Sequence, residues 1–243
     1  MRRFPLLLAA AIALAGCGAA GTDRSGRDVA LAIGGAPGAQ HAGIYLAMQR
    51  GFDEAEGVTL HPKPVTDPAR ELASGKATMA VMDIHELALA RARGEDLVGV
   101  LGIVGRPVAA LRPKRLRAAT QRTPGAPEYP ELLLVAPRAT ITDDRASVRG
   151  AVAALQRGYG EAYVDPDAAT QALVTAVPRL RTPGVSAALD RLGPDFQGTL
   201  RTFGELDPAR LRAWAAWEPR TGLVKQPPDA ARAFDGEFVT NGS

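Results

Sequence analysis

The chain has 243 residues and a formal net charge of +3, which falls to +1 once Arg2 and Arg3 are set aside. That balance leaves no electrostatic footprint for nucleic acid, and an aromatic content of 5% supplies no stacking platform for bases. The single cysteine, Cys17, excludes an intrachain disulfide and a cysteine-ligated metal cluster.

At the N-terminus, Arg2 and Arg3 form a positive n-region, and residues 6–15 form an apolar run too short to span a bilayer. The run ends in Leu14-Ala15-Gly16-Cys17, the form of a lipobox. The expectation is a lipoprotein signal peptide over 1–17, with Cys17 as the lipidated residue and the exported chain anchored to the cell membrane. Residues 18–28, rich in Gly, Ala and charge, predict a flexible tether.

From Val29 onward, short apolar runs alternate with helical segments. Strands are predicted over 29–33, 58–63, 78–82 and 97–104. Helices are predicted between them. One runs from Ala42 to the stop at Gly51. Another starts at Asp67-Pro68, with Asp as cap and Pro in the first turn, and ends at Gly75. A third starts at Asp83, with Glu86 three residues on, and runs to Gly94. Strands alternating with helices at this spacing imply a largely parallel α/β lobe over 29–111. Residues 112–127 form an Arg- and Pro-rich connector without an acidic residue. It is expected to be a solvated loop, with an anion site as the alternative. Residues 128–243 contain one clear strand, 132–135, followed by helices over 144–163, 166–177, 185–192 and 208–217.

No hydrolytic motif, phosphate loop or histidine pair at metal-ligand spacing occurs, so neither a metal nor a cofactor is expected. His61 falls inside a strand and is expected to be structural or exposed. His41 and His85 both stand where a strand gives way to a helix, the edge on which parallel α/β sheets bind ligands. Each can serve a structural role or contact a ligand.

The residues around them carry a family resemblance. His41-Ala42-Gly43-Ile44-Tyr45-Leu46-Ala47, then Gly51-Phe52 and Gly57-Val58, resemble the N-terminal signature of type II periplasmic binding proteins. The branch is the one that binds pyrimidine precursors of thiamine, with sulfonate binders as cousins. Further matches are Ser74-Gly75-Lys76-Ala77, the run from Asp83 to Arg91, and Val104-Gly105-Arg106-Pro107. Others follow at Glu128-Tyr129-Pro130, Arg157-Gly158-Tyr159 and Trp217. Two departures stand out. Where the branch reads D-W-T-P-N, this chain has Gly34-Gly35-Ala36-Pro37-Gly38, which removes the aromatic stacking face. In addition, only the short connector separates Val108 from Tyr129, where relatives build a second lobe of about a hundred residues. The second lobe is therefore expected to be largely missing.

The resemblance implies a solute-binding lipoprotein of an ABC importer. It would deliver a small organic solute, a thiamine pyrimidine precursor or related nitrogenous compound, to a permease subunit. The alternative is a degenerate receptor, an interaction or regulatory envelope lipoprotein without tight solute binding. Fungal pyrimidine synthases share the fold but resemble catalysts with a cysteine-rich iron site, so no enzyme is expected here. The candidate ligand-binding residues are Pro37, His41, Asp83, His85 and Arg106. The histidines would exchange one hydrogen bond each, Asp83 would accept from an amine, and Arg106 would pair with an anionic group. Tyr45 is expected to pack rather than bind.

Overall fold

The structure, a computed structural model, describes residues 26–197, 200 and 202–240. The expected leader, Cys17 and most of the tether lie outside the described residues. Five strands, β1 (Arg27–Gly34), β2 (Val58–Val65), β3 (Met79–Asp83), β4 (Leu97–Val104) and β5 (Leu132–Pro137), form one sheet in the order β2-β1-β3-β5-β4. β1 is parallel to β2 and β3, while β5 is antiparallel to both β3 and β4. The first four strands thus point one way, and β5 is threaded back between the third and fourth. β1 takes Arg27 and Asp28 from the expected tether, because Arg27 pairs in register with Val58. β2 runs two residues beyond its expected end and tolerates Pro62 and Pro64 because it lies at an edge.

Among the described residues eleven helices surround the sheet: α1 (Ala42–Gln49), α2 (Phe52–Ala55), α3 (Pro68–Ala73), α4 (Ile84–Ala92), α5 (Lys114–Gln121), α6 (Arg138–Asp143), α7 (Arg145–Val164), α8 (Pro166–Ala176), α9 (Thr182–Gln197), α10 (Pro208–Trp217) and α11 (Ala230–Ala233). Side chains alternate along each strand, so the sheet feeds two cores. Val29, Leu31 and Ile33 of β1 join Met79 and Val81 of β3 against α1, α7, α8 and α9. Ala32, Ala80 and Met82 face the other way, against α3, α4 and α10 with Trp214 and Trp217. Because both faces are covered, β3 and β4 are buried along their whole length, which explains their unbroken apolar sequences. β4 is the other edge strand. Asp235 N–H donates to Gly99 O (2.9 Å) and Gly102 N–H to Gly204 O (3.0 Å), so the C-terminal segment closes that edge.

The connector corrects the loop expectation. Ordered helix α5 forms within it, with Pro113 at its start and Leu116 buried. Between β4 and β5 the chain contains only a 3-10 turn (Ala109–Leu111) and α5, and no strand. Among the described residues there is a single sheet, and no helix is long and apolar enough to cross a membrane.

Candidate functional site

A cavity of about 360 Å³ opens at the carboxyl ends of β1, β2 and β3, beside the start of antiparallel β5. Its wall includes Gly35, Gln40, His41, Thr66, Asp83 and Arg112. The chain leaves β1 through Gly35, whose φ of +78° lies in the left-handed region that glycine enters without strain. That turn leads into a 3-10 turn (Ala39–His41), which sets His41 at the mouth of α1.

His41 is 1% exposed, and its Nδ1 accepts from the Gly38 N–H at 3.3 Å. With Nδ1 occupied as an acceptor, the ring proton belongs on Nε2, which has no hydrogen-bond partner among the described residues. Burial lowers the His41 pKa to about 4. At neutral pH the residue is thus an uncharged donor in the cavity wall.

Asp83 ends β3 and caps α4, accepting from the His85 N–H at 2.7 Å through Oδ1. Its Oδ2 is buried without a hydrogen-bond donor among the described residues. Burial first, then the negative charge and hydrogen bond of Glu131, hold the Asp83 carboxyl well above the usual carboxylate range; the His85 N–H opposes this. A protonated Asp83 carboxyl can donate to Glu131.

Behind these two residues lies a buried polar chain. Arg112 donates through Nε to Glu131 Oε1 (2.6 Å) and through Nη2 to Glu131 Oε2 (2.7 Å), a bidentate pair. It also donates to Thr120 Oγ1 (3.0 Å) and to the Tyr129 hydroxyl (2.8 Å). These four contacts use four of the five guanidinium N–H groups. Glu131 Oε2 also accepts from the Val108 N–H at 2.7 Å, which ties the connector to the start of β5. The Tyr129 hydroxyl sits 3.2 Å from His85 Nε2, and His85 Nδ1 lies 2.7 Å from Glu218 Oε2.

The expected site residues separate on this geometry. His41 and Asp83 line the cavity together. Pro37 is buried in the turn between Gly35 and Gly38 and is not part of the wall. His85 is fully buried and turned into the second core, edge-on to Tyr129 at 5.5 Å and tilted toward Trp217 at 6.2 Å. Arg106 pairs with Asp195 of α9, away from the cavity. The cause is strand order: with β5 between β3 and β4, the loop after β4 opens one strand farther from His41 than a simple parallel order gives. Tyr45 packs in the core and His61 is exposed beside Asp28. Gln40, Thr66, Arg112 and Glu131 were not among the expected site residues. The usable signal was an acidic residue placed just before the apolar strand at 132, opposite a connector full of arginine.

A family model described as NMT1/THI5 like matches residues 38–113 and 108–169, two segments that meet in the connector. Among solved structures, the ligand-binding component of an ABC-type import system from Staphylococcus aureus aligns with a TM-score of 0.64 at 10% identity, over 89% of this chain and 99% of that one. A Candida albicans protein with the generic periplasmic binding protein fold aligns at 0.62 and 10% identity, over 90% and 98%. The periplasmic aliphatic sulphonate binding protein SsuA of Escherichia coli aligns at 0.61 and 13% identity, over 90% and 95%. Identities this low show a common fold. No curated protein matches.

Proposed function

The chain belongs to the NMT1/THI5-like family and has the periplasmic-binding-protein fold, and we propose that it is the exported solute-binding component of an ABC importer. The observation that carries this reading is the cavity of about 360 Å³ at the carboxyl ends of the parallel strands, walled by His41, Asp83 and Arg112. Its electrostatics speak to the solute. The charge of Arg112 is met by Glu131, burial and Glu131 raise the proton affinity of Asp83, His41 is uncharged, and Glu86 adds an acidic side chain to the wall. An alkanesulfonate, the ligand type named for the Escherichia coli relative, would find no unmatched cation in this group. An uncharged nitrogenous ring would find a neutral imidazole in His41 and the acidic side chains of Asp83 and Glu86 in the wall to attract its own N–H groups. The proposed solute is therefore a thiamine pyrimidine precursor or a similar aminated heterocycle.

Two further parts of the reading concern the ends and middle of the chain. The lipobox around Cys17 supports a lipid anchor on the cell membrane. Cys17→Ser should abolish labelling by a fatty-acid analogue, and equal labelling of mutant and wild type would remove the anchor from the proposal. The short link between β4 and β5, with the two family segments meeting in it, supports loss of the second lobe. That same observation favours a second reading, a receptor remnant that acts by interaction alone. Calorimetric titration of the full chain with aminopyrimidines and with short alkanesulfonates separates the readings. Import predicts micromolar aminopyrimidine binding, weakened at least tenfold by His41→Leu, and no sulfonate binding in this cavity. Absence of binding by either class would favour the remnant.

A further inference from the structure

A second, larger cavity of about 690 Å³ lies between α9 and the two 3-10 turns that precede α1 and α5. Its wall is apolar, built from Ala39, Val108, Leu111, Val185, Ala188 and Leu192. Its rim carries three exposed arginines: Arg179 and Arg181 ahead of α9, and Arg191 within it. No carboxylate among the described residues pairs with any of the three. The acid in the wall, Asp195, is buried and already engaged by Arg106. The cavity therefore combines an apolar interior with a positive mouth, whereas the polar site beside it is lined by the acidic Asp83 and Glu86.

We infer that this cavity binds an amphiphilic anion: a single unbranched alkyl chain bearing a carboxylate or similar oxyanion head. The alkyl chain is drawn to the apolar wall because burial there removes both surfaces from water. The head meets guanidinium groups whose planar donors match an oxyanion in bidentate fashion. Neither half suffices alone. A short polar anion would leave the wall wet, and a neutral or cationic alkyl chain would leave the arginines unmatched or repelled. The two cavities share Gln40 and Leu111 in their walls but differ in every charged residue, so the inference does not rest on the identity of the first solute.

Calorimetry on the full chain tests this with sodium decanoate below its micelle concentration, beside decyltrimethylammonium and butanoate. Decanoate should bind at least tenfold more tightly than either, with an affinity that falls as salt rises. The triple variant Arg179→Gln, Arg181→Gln, Arg191→Gln changes only exposed side chains. It should weaken decanoate at least tenfold and flatten the salt dependence, while leaving the aminopyrimidine titration unchanged. Ala188→Phe, which fills the cavity, should abolish decanoate binding. His41→Leu should affect aminopyrimidines alone, so failure at one site is distinguishable from failure at the other. Equal binding of the two decyl compounds, undiminished decanoate binding by the triple variant, or no decanoate binding would each overturn the inference.

Discussion

His41 and Asp83 follow two adjacent parallel strands, and burial moves their proton affinities in opposite directions. For His41 the folded pKa of about 4 lies below the ordinary 6.5, so the unfolded chain binds the extra proton first. The stability linked to His41 is complete above pH 6.5 and drains away as pH falls toward 4, by up to about 3 kcal/mol. Urea unfolding of wild type and His41→Gln across that range should differ by this slope, since the contribution of Asp83 is common to both; parallel curves would refute it. For Asp83 the folded pKa is raised, so the native state binds more protons, and stability falls as pH rises from the usual carboxylate range toward the raised value. Asp83→Asn keeps an acceptor for the His85 N–H and adds a permanent donor toward Glu131. It should remove that decline and match or exceed wild-type stability at neutral pH. Asp83→Ala should instead lose about 1 kcal/mol with the helix cap. If Asn proves as damaging as Ala, the shared proton is wrong.

At the scale of elements, the position of His41 depends on how closely α1 crosses α7. A Cβ on Gly158 would stand 2.3 Å from the Gly43 carbonyl oxygen, and one on Gly43 would stand 2.4 Å from the ring of Tyr159. Both contacts are too short for carbon, and the backbone and the buried ring have little room to yield. The Tyr159 hydroxyl donates to the Gln40 carbonyl at 2.8 Å, so α7 also fixes the turn that carries His41. Gly158→Ala should push the helices apart, costing about 1–3 kcal/mol as overpacking and weakening solute binding along with stability. Thermal unfolding and titration of the same variant check both; an unchanged midpoint would mean the crossing has slack.

At the scale of the whole molecule, the consequence lies in what can move. Two-lobed receptors bury a ligand by hinge closure, but the described residues here hold one sheet and a short link between β4 and β5. Solute should therefore bind in an open site with modest affinity, and no large-scale closure should follow. Small-angle scattering should give a radius of gyration near that of one compact domain, about 17–18 Å, unchanged by saturating solute. A clear contraction on binding would reveal a second moving body.

Features that depend on a few neighbouring residues were legible in the amino-acid order. The starts of α3 and α4 follow from Asp67 and Asp83, whose carboxylates accept from N–H groups two or three residues on. Strand positions follow from apolar runs, and His41 and Asp83 follow from standing at strand ends. Tertiary structure alone decided the rest, because it rests on pairings between distant positions. β5 enters between β3 and β4, which carries the Arg106 loop away from the cavity and gives that arginine to Asp195, 89 residues later. His85 is aimed inward by Glu218, 133 residues away. Arg112 becomes part of the site only because Glu131, on the returning strand, forms a buried ion pair with it. Nothing local to any of these side chains encodes its partner; the sheet order and the burial it imposes do.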